Sequence, residues 1–125
     1  MMYLVEDETL MNKGIRYKAR EATNAIVTVF HAADASPQDI YREQRGRCMF
    51  DMGVHYLVMP DGTVYSCVPV EAHADIVYEH SEDGVYVMCV GAGSLDEMTD
   101  SQRRAYDEMM AALDDEYDAE RLVED

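Results

Sequence analysis

The spacing of apolar and polar positions changes several times along this chain, and each change marks an element. Asn24 to Phe30 (NAIVTVF) is dominated by β-branched and apolar residues and ends at His31, which predicts a buried strand opening onto a loop. Ser36-Pro37-Gln38-Asp39 then predicts a helix start, with Ser36 as N-cap, Pro37 in the first helical position and Asp39 at the positive end of the dipole. That helix is expected to run to about Arg45 and to stop at Gly46. Val54 to Met59 and Thr63 to Val68 read as the two strands of a hairpin. Pro60-Asp61-Gly62 joins them, combining a proline-fixed φ with a glycine that accepts φ > 0.

Val85 to Val90 (VYVMCV) is apolar at every position, so both of its faces must be covered and the strand is expected at the centre of its sheet. Beyond it the period becomes helical. Tyr106, Met109, Met110, Leu113 and Tyr117 form one apolar stripe, and Thr99 with Gln102 predicts a capping box at its start. Asp107, Glu108, Asp114, Asp115, Glu116 and Asp118 fall on the other side. The order strand, helix, hairpin, strand, helix predicts a single α/β domain with a central mixed β-sheet flanked by helices. A chain of 125 residues and 14.2 kDa supports one such core. Residues 1–14 read as a short acidic N-terminal segment, and 15–125 as the domain, truncated after its last helix.

Charge changes the picture most. The net charge is -16, from 10 basic and 26 acidic residues, and it is unevenly spread. Residues 1–60 hold seven bases against eight acids; the remainder holds three against eighteen. Such a surface repels phosphate backbones, so no direct nucleic-acid binding is expected, and attraction to a basic protein becomes the electrostatic possibility. Asp107, Asp114, Asp115 and Asp118 are the candidate contacts for that partner, imitating a row of phosphates. The competing reading is a solvated surface in a host with acidic proteins, which the two lysines against fourteen aspartates suit. No apolar run reaches the ~18 residues of a membrane span. The acidic opening lacks the basic n-region of a signal peptide, so a cytoplasmic protein is expected.

Cys48, Cys67 and Cys89 form an odd set without CxxC spacing, which supports neither a disulfide framework nor a cysteine zinc knuckle. Cys67 and Cys89 lie in apolar runs and read as buried small hydrophobes, and Cys48 as a surface or packing residue. The histidines His31, His55, His73 and His80 are the groups suited to metal binding or acid–base work near neutral pH. His31 ends a strand, where an active-site side chain is rigidly held. His55, beside Leu57 and Met59, reads as a hydrogen-bonded core residue, and His73 and His80 as loop residues. No close pair such as HExxH occurs.

An ordered series of motifs carries a resemblance. It consists of Tyr17-Lys18-Ala19-Arg20-Glu21-Ala22-Thr23-Asn24-Ala25-Ile26, the strand to His31, Met52-Gly53-Val54-His55-Tyr56-Leu57-Val58, and Asp61-Gly62-Thr63-Val64. Ala72-His73-Ala74, Gly84 to Gly93 and the Thr99 to Leu113 helix complete it. Together, over roughly residues 15 to 120, these resemble the zinc-dependent N-acetylmuramoyl-L-alanine amidases and peptidoglycan-recognition proteins, and most closely the small phage lysozymes of the amidase type.

The resemblance implies that His31 is the first zinc ligand, that His73 lines the substrate groove, and that His55 is the family's histidine of the second strand. It also implies departures. The family completes its zinc site with a His and a Cys after the last helix, whereas this sequence runs to Arg121-Leu122-Val123-Glu124-Asp125 with no His after His80 and no Cys after Cys89. The family's tyrosine before the strand histidine is Val54 here, and the lysine between its distal ligands is missing. A hydrolytic zinc needs three protein ligands and an open position to bring a bound water to a pKa of about 7. The expectation is therefore a catalytically inactive phage or prophage protein without a cofactor. It would bind a small ligand at a cleft bordered by His31, Val54 and His73, or block a host or phage protein, RNA polymerase and a defence protein being the kinds implied. The alternative is a zinc-dependent amidase whose metal site is atypical, with Glu124 or Asp125 as stand-in ligands, or is completed by a partner.

Overall fold

The computed structural model of the chain describes residues 3–6, 19–46, 53–73 and 83–124. Cys48, His80, Lys18, Met52 and Asp125, which the sequence reading used, lie outside the described residues. Two helices, α1 (Pro37–Gly46) and α2 (Asp100–Glu116), cover the two faces of a six-stranded sheet. Its strands are β1 (Tyr3–Glu6), β2 (Ala25–His31), β3 (Tyr56–Val58), β4 (Thr63–Ser66), β5 (Gly84–Val90) and β6 (Glu120–Val123), in spatial order β1-β4-β3-β5-β2-β6. Only β3 and β4 pair antiparallel, as the predicted hairpin; every other neighbouring pair is parallel.

β5 is buried at every residue between β3 and β2, as its unbroken apolar run predicts. β2 divides its side chains by alternation. Ala25, Val27 and Val29 join the cluster containing Ile40 of α1, and Ile26 joins the cluster formed with Ala105, Met109, Met110 and Leu113 of α2. Thr28, fully buried on the α2 side, meets the Tyr106 hydroxyl at 2.8 Å, so its polar atom is satisfied inside the core. The hairpin turn holds as expected: the Gly62 N–H donates to the Met59 carbonyl at 2.9 Å, and Gly62 has φ 90°. A Cβ there would stand 2.9 Å from the Ser101 carbonyl oxygen, so the turn packs on α2 only with glycine.

Both helix starts follow the predicted chemistry, one of them in part. Ser36 Oγ accepts from the Asp39 N–H at 3.1 Å, and Asp39 accepts from the Ser36 N–H at 3.4 Å, a reciprocal box. Thr99 Oγ1 accepts from the Gln102 N–H at 3.0 Å, but the Gln102 side chain does not return to Thr99. It is buried, and its amide donates to the carbonyls of Val58 at 2.9 Å and Val90 at 2.8 Å, tying α2 to the ends of β3 and β5. The capping box is thus half formed, because two buried carbonyls compete for the same amide.

The structure departs from the sequence reading at both ends. Tyr3–Glu6, read as part of an acidic segment outside the fold, pairs with β4 from Tyr3↔Thr63 to Glu6↔Ser66. Glu120–Val123, to which the sequence reading gave no element beyond the last helix, pairs with β2 from Ala25↔Glu120 to Thr28↔Val123, and the Glu124 N–H continues the ladder to the Thr28 carbonyl at 2.8 Å. Four-residue edge strands carry too little pattern to stand out, and their stability comes from pairing with distant segments. Among the described residues no helix is long and apolar enough to cross a membrane.

Candidate functional site at the His31 rim

His31 is the last residue of β2, level with Val90 of β5, and its carbonyl accepts from the Gly91 N–H at 2.7 Å. The parallel strands β2 and β5 thus end together in a rim made by the loops that follow them. α1 buries Pro37, Ile40 and Gln44, and the flank of that face carries Glu43. Its carboxylate meets His31 Nε2 at 3.1 Å, while His31 Nδ1 lies 2.7 Å from the Ala33 carbonyl. Both partners are oxygens that can only accept, so satisfying both requires a proton on each ring nitrogen. Burial, the largest single effect, works against that charge, but the Glu43 hydrogen bond, the Ala33 carbonyl and the Glu43 charge together outweigh it and raise the His31 pKa above the usual imidazole value.

His55 is the counterexample within the same fold. It is fully buried; its Nδ1 accepts from the Tyr86 N–H at 2.9 Å and its Nε2 donates to the Ala72 carbonyl at 2.8 Å. Burial, with Arg20 nearby, lowers its pKa to about 4 although the Ala72 carbonyl favours the proton, so it is neutral at pH 7. The core reading of this residue holds.

Of the residues expected to border one cleft with His31, Val54 lies in the core. Val54 is fully buried among Val27, Ile40 and Leu57, and its carbonyl accepts from Val68, so it presents no surface to a ligand. The register sets Tyr56 level with Val87 and Thr28, and His55 and Val54 precede Tyr56, away from the His31 end of the strands. His73 is partly buried and directly follows Ala72, which His55 holds. Glu43 is the partner that sequence reading missed. The signal was available, since Glu43 lies one turn beyond Ile40 on a helix that must fold back over β2.

A hydrolytic zinc ion needs three protein donors, each with a free lone pair. Among the described residues no group of three His, Cys, Asp or Glu side chains is assembled, and both nitrogens of His31 face oxygen acceptors. Cys89 is turned into the α2 core, where burial pushes its thiol up to about 12, and Cys67 is also buried. The described donor set does not fit such an ion.

The acidic face is also less uniform than its sequence suggests. Asp107 pairs with Arg103 at 3.2 Å, and Asp114 is held by Arg121, which reaches back from β6. Asp118 lies beyond the end of α2, whose C-cap is Tyr117, so it is not on the helix at all. Of the four aspartates, only Asp115 is a helical carboxylate without a basic neighbour among the described residues.

Comparison with known proteins places the fold. The model of a family described as N-acetylmuramoyl-L-alanine amidase (Amidase_2) matches residues 19–123. Among solved structures, the Ph2119 endolysin of a Thermus scotoductus bacteriophage superposes with a TM-score of 0.75 at 25% identity, over 96% of this chain and 84% of the endolysin. Drosophila peptidoglycan recognition protein SD gives 0.77 at 11% identity, over 98% and 83%. Peptidoglycan recognition protein LE, solved in complex with tracheal cytotoxin, a monomeric diaminopimelic acid-type peptidoglycan, gives 0.69 at 13% identity, over 87% and 73%. Curated protein sequences provide no match.

Proposed function

The chain belongs to the N-acetylmuramoyl-L-alanine amidase family, and on that premise we propose that it is a phage or prophage member that binds a peptidoglycan fragment or similar small ligand without hydrolysing it, acting by sequestration or inhibition. The observation that carries this reading is the His31–Glu43 pair. Both ring nitrogens of His31 face oxygen acceptors, so while this pair stands neither offers a lone pair to zinc, and the rim presents a ligand with a polar imidazole–carboxylate pair instead of a metal. A buried valine at position 54 adds no hydroxyl to the rim. The fold itself serves recognition in solved relatives, as the complex of recognition protein LE with monomeric peptidoglycan illustrates.

A second reading is favoured by one observation. Because β6 runs parallel to β2 and the ladder reaches Glu124, that carboxylate stands toward the His31 end of the sheet, so Glu124 with donors from a partner chain would complete an amidase site once His31 left Glu43. Calorimetric titration of the untagged protein with a disaccharide–peptide muropeptide, followed by chromatography of the mixture with zinc added, separates the two. The binding reading expects saturable association, weakened by His31→Ala, and an intact muropeptide. Zinc-dependent release of free peptide would replace it with the amidase reading, and absence of association would reject both.

A further inference from the structure

The α2 face of the sheet carries a second concavity. A pocket of about 250 Å³ opens between the C-terminal half of α2 and strand β3, lined by Tyr56, Met109, Leu113 and Tyr117 and by the carboxylate residues Glu71 and Glu116. Met109 and Leu113 are buried and form its base, and Glu71 and Glu116 are exposed at its mouth. The His31–Glu43 pair belongs to the α1 side, so the two sites lie on opposite faces. Strand alternation keeps them apart.

Three observations agree on the chemistry this pocket would take. First, one of its lining rings already carries a cation from outside the pocket. The Arg20 guanidinium stands 5.2 Å from the Tyr117 ring centroid and donates to the carbonyls of Val70 and Ala72, which anchors it from behind. Second, negative charge exceeds positive around the mouth, where Glu71, Glu116 and Glu6 surround the single guanidinium of Arg20. Among the described residues neither Glu71 nor Glu116 has an ion-pair partner, and the last turn of α2 contains no basic residue to answer the negative end of the dipole. The phenol of Tyr56 registers this surrounding: burial raises its pKa, Tyr117, Glu71 and Glu6 add to the rise, and Arg20 opposes it. Third, the volume is below the ~300 Å³ lower end of small-molecule sites, and suits one inserted side chain.

We propose that this pocket anchors a basic segment of a protein partner, with one lysine or arginine laying its apolar stem on Met109 and Leu113 and its cationic head between Glu71 and Glu116. Long basic side chains partition in this way, stem on apolar surface and head at the rim. A central anchor of this kind supplies most of the energy of a small interface, while the surrounding carboxylates steer the approach. The inference is independent of the muropeptide reading, because it uses no residue of the His31 rim.

The test uses a fluorescently labelled peptide of alternating lysine and leucine, with a glutamate–leucine peptide of equal length as control, and the full chain. Anisotropy titration should show binding of the basic peptide alone, and ¹H–¹⁵N spectra should place the shifts at Tyr56, Met109 and Tyr117. Glu71→Gln with Glu116→Gln should weaken it about tenfold and flatten its salt dependence. Ala112→Arg, which puts a cation into the exposed wall, should abolish it while the circular dichroism spectrum is unchanged. His31→Ala should leave peptide binding intact. Equal binding of the acidic peptide, an unaltered affinity in the double glutamine variant, or shifts confined to the His31 rim would overturn the proposal.

Discussion

His31 ends one strand of the sheet and His55 directly precedes another, and both use both ring nitrogens, yet their pKa values move in opposite directions. At the core position one partner donates and the other accepts, the Tyr86 N–H and the Ala72 carbonyl, which a neutral ring satisfies completely. At the rim both partners accept, the Ala33 carbonyl and the Glu43 carboxylate, and only an imidazolium satisfies them. The difference comes from the neighbours and not from depth alone. Burial disfavours the charge in both cases and prevails only where no carboxylate opposes it.

The comparison is broken most forcefully at the core. His55→Ala removes the partner of two buried backbone groups and leaves a cavity, so a loss of about 3–5 kcal/mol in chemical denaturation is expected, against less than about 1 kcal/mol for His31→Ala at the partly exposed rim. Gln102→Leu keeps the volume but orphans the Val58 and Val90 carbonyls, and a loss of about 2–3 kcal/mol is expected by the same measurement.

The two histidines should also bend the pH dependence of stability in opposite directions. His55 has a folded pKa of about 4, below its ordinary 6.5. The unfolded chain takes up the proton first, so the stability from His55 is full above pH 6.5 and declines as the pH falls toward 4. His31 has a raised folded pKa, so its contribution is full below pH 6.5 and is lost as the pH rises through the folded value. Urea midpoints across pH 4 to 8 for His55→Gln and His31→Gln should each remove one of these slopes.

A finer change sharpens the rim alone. Glu43→Gln keeps an acceptor but removes the negative charge, so the His31 resonance should titrate closer to the usual imidazole value by NMR, with a stability change under about 1 kcal/mol. The smallest effect is expected at the acidic face. Asp115→Asn should alter stability by no more than about 0.5 kcal/mol in thermal unfolding, a solvated carboxylate being what the sequence already suggested.

Much of this was readable in advance. The strand to His31, the hairpin with its Pro60-Asp61-Gly62 turn, the buried β5 run and the stripe of α2 are local patterns, written in consecutive residues. The omissions share one cause, distance along the chain. β1 and β6 are held by partners 60 and 95 residues away. The Gln102 amide answers carbonyls in two other strands, and Glu43 reaches His31 only after α1 has folded back. Val54 follows a related rule: parallel register sets it before Tyr56, away from the His31 end of the strands, and packing buries it.

The direction of β6 has a practical consequence at the bench. Up to Glu124, β6 runs toward the end of β2 that carries His31, so that is the side of the sheet from which a fused sequence starts. A carboxy-terminal oligohistidine affinity tag would therefore deliver a supply of imidazoles to the neighbourhood of His31 and Glu43, and could capture nickel or zinc shed from a purification column. Metal content measured on such a preparation would describe the tag. Placing the handle at the other terminus, or cleaving it, keeps the rim in the state that the protein itself provides.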